Sequence, residues 1–586
     1  MRAAGAGVHS GEVRSGDTGT ARTAFHLLLV AAAALLVCWP VLVHGVPDLA
    51  HDSVHHAVWT KNFDGQLWAG EWYPRWLTAM NGGLGAPVFF FYPALPSYAS
   101  SISHPFLAGK DPAGWLQAGF GCALGFILSG ITAYFWLRSL ATPAAALFGA
   151  VIYLIAPYHT AIDLYNRGAI SEFWTFVWMP LVMLSAQGLS ERRRLAFPAL
   201  SCSYALLICS HLGVTMCFSA VPIAAALLLS EPGRRVRTML TVIAAMALGG
   251  GLAAVFALPA MLSGGTIHME LVVGDDFADY RKWFLFQRPP SPLDFKARIL
   301  ILTLTMVVAA AVLLWLCLRS RPRLRERAQA VFYFGVGMVS FFFMTQASWL
   351  FWRLIPPLRA LSFPYRFNTV LTPAVAALAA LAFADIRRRR GRPWLVLAAL
   401  ALVWIGADAW SASAAFSAWR RVPEERTRPD RLQHEHMFWP KTSRPELRAA
   451  GRLEEFLAAH PARSLELRSA ASGQAIGKAT VADWQPRRIE LNVDAPEKAS
   501  LTIGHFYYPG WRGRIGGAGR TIAAGPTSPD GLILMEVPRG RYNLVVELAR
   551  QGPERAGIAI SLCSLAIVLG IAAAGAIKRR RAAAIP

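Results

Sequence analysis

The chain has 586 residues, 55% of them hydrophobic and 16% charged, with a formal net charge of +23 and a mean hydropathy of +0.38. A soluble domain carries about 25% charged residues, and here the apolar residues recur in runs long enough to cross a bilayer at 1.5 Å rise per residue. The excess arginine lies in short clusters between those runs, which is the positive-inside pattern of a polytopic membrane protein and excludes a nucleic-acid partner as the reason for the charge.

Residues 1–22 are rich in Gly, Ala and Ser with scattered arginines and read as a disordered cytoplasmic N-terminus. A transmembrane domain is expected over 23–413, opening with a first span from Ala24 to His44 that is long for a signal-peptide core. A long outer loop, 45–113, follows. Its later part, Val88 to Leu107, is apolar but carries Pro93, Pro96 and Pro105, with Pro87 just before it. Proline removes helical hydrogen bonds, so this stretch makes a poor lipid-facing helix. Counting it as a span would also turn every later arginine cluster outward. It is therefore expected to be juxtamembrane or re-entrant.

Further spans are expected near 114–137, 142–158, 173–189, 195–210, 212–229, 237–262, 298–318, 329–349, 367–384 and 393–413, with a C-terminal one at 557–577. Counting the first, this gives about twelve. Arg138, Arg192-Arg193-Arg194, the 234–237 and 319–327 groups, the 387–392 group and the basic tail 578–586 then all face the cytoplasm, with both termini. The segment 414–556 changes character. A helical stretch from Pro445 to His460 precedes alternating runs such as Ile489-Glu490-Leu491-Asn492-Val493, the pattern of an extracytoplasmic, β-rich antiparallel domain. The fold class is thus mainly α, polytopic, with a β-rich domain before the last helix. All seven cysteines lie in apolar runs, so they read as small buried hydrophobes rather than as disulfide or zinc ligands.

The long first loop concentrates the chemistry. Asp52 follows the first span by a few residues, flanked by His51, His55 and His56. On a helix, Asp52, His55 and His56 share a face by their i, i+3, i+4 spacing, suited to a metal or to a tuned general base. Asp52 is equally well placed to cap that helix. A second acidic loop, 159–172, holds His159, Asp163, Arg167 and Glu172, on the same side as Asp52. Two carboxylates with an arginine suit a site that grips phosphate and removes a proton; interfacial anchoring, with Glu172 capping the next span, is the plainer alternative. Tyr73 and Arg75 could touch a lipid phosphate or sugar, or form an aromatic interface belt. Arg359 and Arg366 lie just outside a span, where they could bind a pyrophosphate. The loop at 263–297, with His268, Glu270, Asp275, Asp276, Asp279, Tyr280, Arg281 and Lys282, is a substrate lid or a solvated loop. His434-Glu435-His436 is a weak metal signal.

The first span, the long outer loop with an acidic residue near its start, the second acidic loop and the outer C-terminal domain together resemble integral-membrane glycosyltransferases of the GT-C type. The run Tyr73-Pro74-Arg75-Trp76, Gly82-Gly83-Leu84-Gly85-Ala86-Pro87 and Phe91-Tyr92-Pro93 is similar to a bacterial group labelled 6-pyruvoyl-tetrahydropterin-synthase-related membrane proteins, a label that does not imply pterin chemistry. Phe506-Tyr507-Tyr508-Pro509-Gly510-Trp511 looks like the outer domain of large membrane proteins implicated in lipid-linked sugar transfer. The first acidic site here reads His-Asp rather than a pair of acids, and a WWDxG-type motif is absent.

The resemblance implies an enzyme of the plasma (inner) membrane. It would transfer a sugar from a polyprenyl-phosphate-linked donor to an extracytoplasmic acceptor glycan, lipid or protein. Asp52 and Glu172 would be the catalytic positions. Substrate-binding candidates are His51, His55, His56, Tyr73, Arg75, Asp163, Arg167 and Arg366. A divalent cation, magnesium or manganese, would sit on Asp52 and Glu172 if the enzyme uses one. The competing expectations are a transporter or flippase of lipid-linked glycans and a non-catalytic scaffold whose outer domain binds glycan.

Overall fold

The structure is a computed structural model that describes residues 12–47, 50–273, 278–287, 294–319, 323–388, 394–419, 437–449, 451–516 and 519–583. Asp275, Asp276 and the His434-Glu435-His436 triplet lie outside the described residues.

The first helix, α1, runs Glu12–His44. It starts well before the apolar run, so residues 12–22 continue the helix where the composition had pointed to disorder. Next come α2 (Ser53–Trp68), α3 (Trp115–Arg138) and α4 (Pro143–Leu154). A π-helix (Tyr158–Arg167) follows, then α5 (Ile170–Ser190) and α6 (Ala196–Ile208). The expected span 212–229 comprises α7 (Leu212–Phe218) and α8 (Ala220–Leu229), joined through Ser219 with helical φ −57° and ψ −32°, and 237–262 is divided into α9 (Arg235–Leu252) and α10 (Ala254–Leu262). The bundle continues with α11 (Phe295–Arg319), α12 (Leu324–Met344), α13 (Asn368–Arg388) and α14 (Trp394–Trp419), and α15 (Gly552–Ala583) ends the chain. Among the described residues nine helices are long and apolar enough to cross a membrane, and Ala196–Ile208 and Ala398–Ser411 are shorter apolar helices.

Prolines punctuate the stretch 88–107 into three short helices, Val88–Phe91, Leu95–Ser101 and His104–Leu107. None is long enough to span. Pro96 and Pro105 sit in the first turns of their helices, where a missing N–H costs nothing.

Between α14 and α15 the chain forms an antiparallel sheet. Its strands are β1 (Leu465–Ser469), β2 (Lys478–Gln485), β3 (Arg488–Ala495), β4 (Ala499–Phe506), β5 (Trp511–Ile515), β6 (Thr521–Pro526), β7 (Leu532–Val537) and β8 (Gly540–Leu548), in the order β1-β4-β7-β6-β5-β8-β3-β2. In β3, Ile489, Leu491 and Val493 are buried and alternate with more exposed residues, as a period of two requires.

Among the described residues two large hydrophobic cores, with one small satellite around Phe256, organise the molecule. One is the interior of the helical bundle. The other joins the sheet to the long first loop: Trp59, Phe63, Trp76, Phe89 and Phe90 share one cluster with Trp439, Phe506, Tyr508 and Trp511. The aromatic and glycine-rich run of that loop is thus the socket of the β domain. Trp76 is fully buried and donates its indole N–H to His505 Nε2 at 2.8 Å. Gly85 has φ +86° and lies under the Trp76 ring, where a Cβ would collide with the indole. Backbone bonds reinforce the seat, with Phe506 N donating to Leu84 O at 2.8 Å.

Candidate active site

Between the bundle and the segment leading into the sheet lies a cleft of about 580 Å³. Its polar lining includes Asp52, His55, His56, Arg167, His211 and Arg366, and its apolar lining Leu212, Met261, Ile267, Leu271 and Phe438.

Asp52 is carried to this lining by the turn before α2. Its backbone N–H donates to Arg167 O at 2.7 Å, and its own carbonyl accepts from His56 N at 3.1 Å. The start of α2 is thereby docked on the end of the π-helix. The close approach needs Gly168, with φ +61°, because a Cβ there would strike Ser53 Oγ. Asp52 occupies the cap position of α2 but makes no side-chain cap bond. Its carboxylate is instead 41% exposed, with Oδ2 3.6 Å from Arg167 Nη2. That separation is an ion pair without a tight hydrogen bond, so the oxygen keeps capacity to accept another proton donor.

Arg167 is the hub. Its Nη1 donates to Glu172 Oε2 at 2.7 Å and to Asp163 Oδ1 at 2.8 Å, and its guanidinium faces the Tyr365 ring at 5.6 Å. Glu172 also accepts from Tyr158 Oη at 2.7 Å and from Arg366 Nε at 3.1 Å. Arg366 in turn donates to Leu361 O at 2.6 Å. Both carboxylate oxygens of Glu172 are therefore engaged, and the side chain is buried behind the arginines. Glu172 and Asp163 are not on the cleft wall; the two guanidinia they hold are. Burying two arginines costs less when a carboxylate is bonded to both. Glu172 thus bonds both Arg167 and Arg366, which line the cleft, and is itself set behind them.

Of the histidines beside Asp52, His51 is exposed, His55 half-buried and His56 buried. Burial holds the His55 imidazole below its ordinary pKa and pushes that of His56 down to about 4, against the opposing pull of Asp52. The His56 ring also meets Tyr92 Oη at 3.3 Å. His51 packs edge-on against Phe295, with ring centroids 4.6 Å apart. All three line the cleft as neutral rings or edges around one carboxylate.

Tyr73 and Arg75 are elsewhere. Arg75 is buried, donates to Val255 O at 2.7 Å and lies 3.7 Å from Glu554 at the start of α15. Its guanidinium covers the Tyr73 ring at 4.3 Å. Arg487 of the sheet completes the knot with Glu554 at 3.1 Å. This cluster ties the first loop, the sheet and the last helix together, and neither residue lines the cleft. Arg359 is likewise not on the cleft wall, and His268 pairs with Glu270, which Lys441 also reaches at 2.8 Å. Met269, Leu271 and Val272 from that same loop do form part of the wall.

His211 and Tyr365 are cleft residues that the sequence did not single out. His211 caps α7, its Nδ1 accepting from Val214 N at 3.1 Å, so a neutral ring carries its hydrogen on Nε2. The only sequence signal was a lone imidazole between two short apolar runs.

The donor set does not suit a divalent cation. Among the described residues no group of three or more His, Cys, Asp or Glu side chains converges as a metal site. Glu172 is saturated by two arginines and a tyrosine, and Asp52 faces Arg167. Two guanidinia beside one partly exposed carboxylate fit an anionic ligand that also presents a hydroxyl.

No curated protein matches the sequence. Solved structures with some likeness include the arabinofuranosyltransferase AftD from Mycobacteria, at 16% identity and a TM-score of 0.42, over 90% of this chain and 40% of that one. A mutant form of AftD gives 19% identity and a TM-score of 0.40, over 67% of this chain and 28% of that one. ArnT from Cupriavidus metallidurans gives 16% identity and a TM-score of 0.30, over 61% of this chain and 77% of that one. The chain spans well under half the length of either AftD chain. Residues 89–417, more than half of the sequence, match the family described as the 6-pyruvoyl-tetrahydropterin synthase related domain of membrane proteins, and the chain belongs to that family.

Proposed function

We propose that the protein is a membrane glycosyltransferase that moves a sugar from a polyprenyl-phosphate-linked donor to an acceptor on the extracytoplasmic face of the inner membrane, with both termini cytoplasmic. The observation that carries this reading is the pairing, in one cleft, of the partly exposed Asp52 carboxylate with the guanidinia of Arg167 and Arg366. The apolar residues that also line the cleft suit the lipid part of such a donor.

The acceptor hydroxyl attacks the anomeric carbon of the donor sugar. Asp52 takes the hydroxyl proton, the new C–O bond forms, and the bond from the anomeric carbon to the phosphate oxygen breaks with its electron pair leaving on phosphate. Arg167 and Arg366 stabilise the charge that grows on that phosphate, and their attachment to Glu172 means they need not reorganise as it grows. His211 offers an Nε2–H donor in the same cleft. Asp52→Asn keeps the shape of the site but removes the base.

The test expresses wild type and Asp52→Asn at matched membrane levels in a strain lacking the protein, and profiles envelope glycolipids and glycans by mass spectrometry. A sugar modification absent from the deletion strain, restored by wild type and not by Asp52→Asn, is the expected outcome. Full restoration by Asp52→Asn would remove the base from the mechanism and favour glycan transport or a scaffold role.

A further inference from the structure

A second cavity, of about 440 Å³, lies at the other end of the bundle, where the α3, α4, α12 and α13 spans meet. Helix α13 begins two residues after Arg366 and ends at Arg388, so its 21 residues separate the two cavities by about 30 Å at 1.5 Å rise per residue. Arg138, Arg323, Arg388, Glu326 and Asp385 line it.

Arg138, Arg323 and one oxygen of Glu326 are not satisfied by other described residues. Arg388 donates to Glu326 Oε1 at 3.0 Å. Glu326 Oε2 is buried and accepts no hydrogen bond. The exposed side chains of Arg138 and Arg323 line the cavity without a hydrogen bond or ion pair to any described residue. Arg193 and Arg325, which do not line the cavity, both pair with Glu191. The two exposed guanidinia offer donors to an anion, and the buried, unbonded carboxylate oxygen in the same concavity calls for a cationic donor. The spans end at Arg138, Pro143, Leu324 and Arg388, which sets the cavity at the depth of lipid headgroups.

We propose that this cavity binds the headgroup of a zwitterionic, amine-bearing phospholipid. Arg138 and Arg323 hold the phosphate, and Glu326 Oε2 accepts from the ammonium. A purely anionic headgroup would satisfy the arginines and leave Glu326 facing negative charge. The site is remote from the Asp52 cleft and does not depend on any transferase activity.

The test uses the full-length protein in detergent, with native mass spectrometry of bound dioleoyl phosphatidylethanolamine, dioleoyl phosphatidylglycerol and free phosphoethanolamine. Wild type should retain the ethanolamine lipid in preference to the glycerol lipid. The exposed pair Arg138→Gln with Arg323→Gln should weaken retention of both lipids by about tenfold. Glu326→Gln should erase the preference by weakening the ethanolamine lipid alone. Equal retention of the two lipids by wild type would overturn the zwitterion assignment. Wild-type retention by the double arginine variant would overturn the site. Displacement of the lipid by free phosphoethanolamine at equal concentration would overturn the lipid assignment in favour of a soluble amine phosphate.

Discussion

Trp76 in the first loop and His505 in strand β4 are joined by a 2.8 Å hydrogen bond across 429 residues of sequence. The direction of that bond fixes the histidine. The indole can only donate, so Nε2 of His505 accepts, and Nδ1–H donates to Gly83 O at 3.2 Å. A protonated ring would set two donors against each other. Burial agrees, and pushes the His505 pKa down to about 4.

The pH dependence follows from that depression. The unfolded chain binds the proton near 6.5 and the folded chain only near 4, so the contribution is present above about 6.5 and is lost as pH falls toward 4. Its full size is on the order of 3 kcal/mol. Limited proteolysis between the loop and the sheet should therefore accelerate from pH 7 to pH 4.5. His505→Phe, which cannot titrate, should be less stable at pH 7 and should lose that pH response. An unchanged response in the variant would assign the acid sensitivity to another group.

Glu172→Gln should uncouple the site while leaving the cleft carboxylate in place. It strips the charge that holds Arg167 and Arg366, and breaking a buried ion pair from one side costs about 3–5 kcal/mol. Asp163→Asn should cost less, because Arg167 keeps Glu172 and Asp163 Oδ2 makes no hydrogen bond. Thermal melting of the two variants in the same detergent checks the order. A Glu172→Gln protein that melts with wild type would remove Glu172 as the anchor of the arginines.

Gly168→Ala tests the docking of α2. The new Cβ must clear Ser53 Oγ and adopt φ +61°, a region that costs an ordinary residue about 1–2 kcal/mol. The strain falls between Asp52 and Arg167, whose backbones are bonded there. The variant should lose the proposed transferase function by more than its stability loss explains. The glycan profile and the melting temperature, read on the same preparation, separate the two effects.

The sequence by itself determined the membrane class, the helical runs and the β-rich segment before the last helix, because hydropathy and the periods of 3.6 and 2 are local properties. It also brought Asp52, Arg167 and Arg366 forward as candidates, since charged residues beside apolar spans are few and costly. Only the tertiary structure decided what each of them faces. Tyr73 and Arg75 stand beside the site in sequence, yet Arg75 is committed to Glu554 and Val255, some 479 and 180 residues away. That Glu172 is bonded through both its oxygens to Tyr158, Arg167 and Arg366 shows only in the folded chain. His211 gave no pattern, because its place on the wall follows from the break between α6 and α7 and from the packing of that break against residues 360–366. Spacing along the chain sets which side chains share a helix face, but charge pairing and burial are settled by partners that arrive from distant segments.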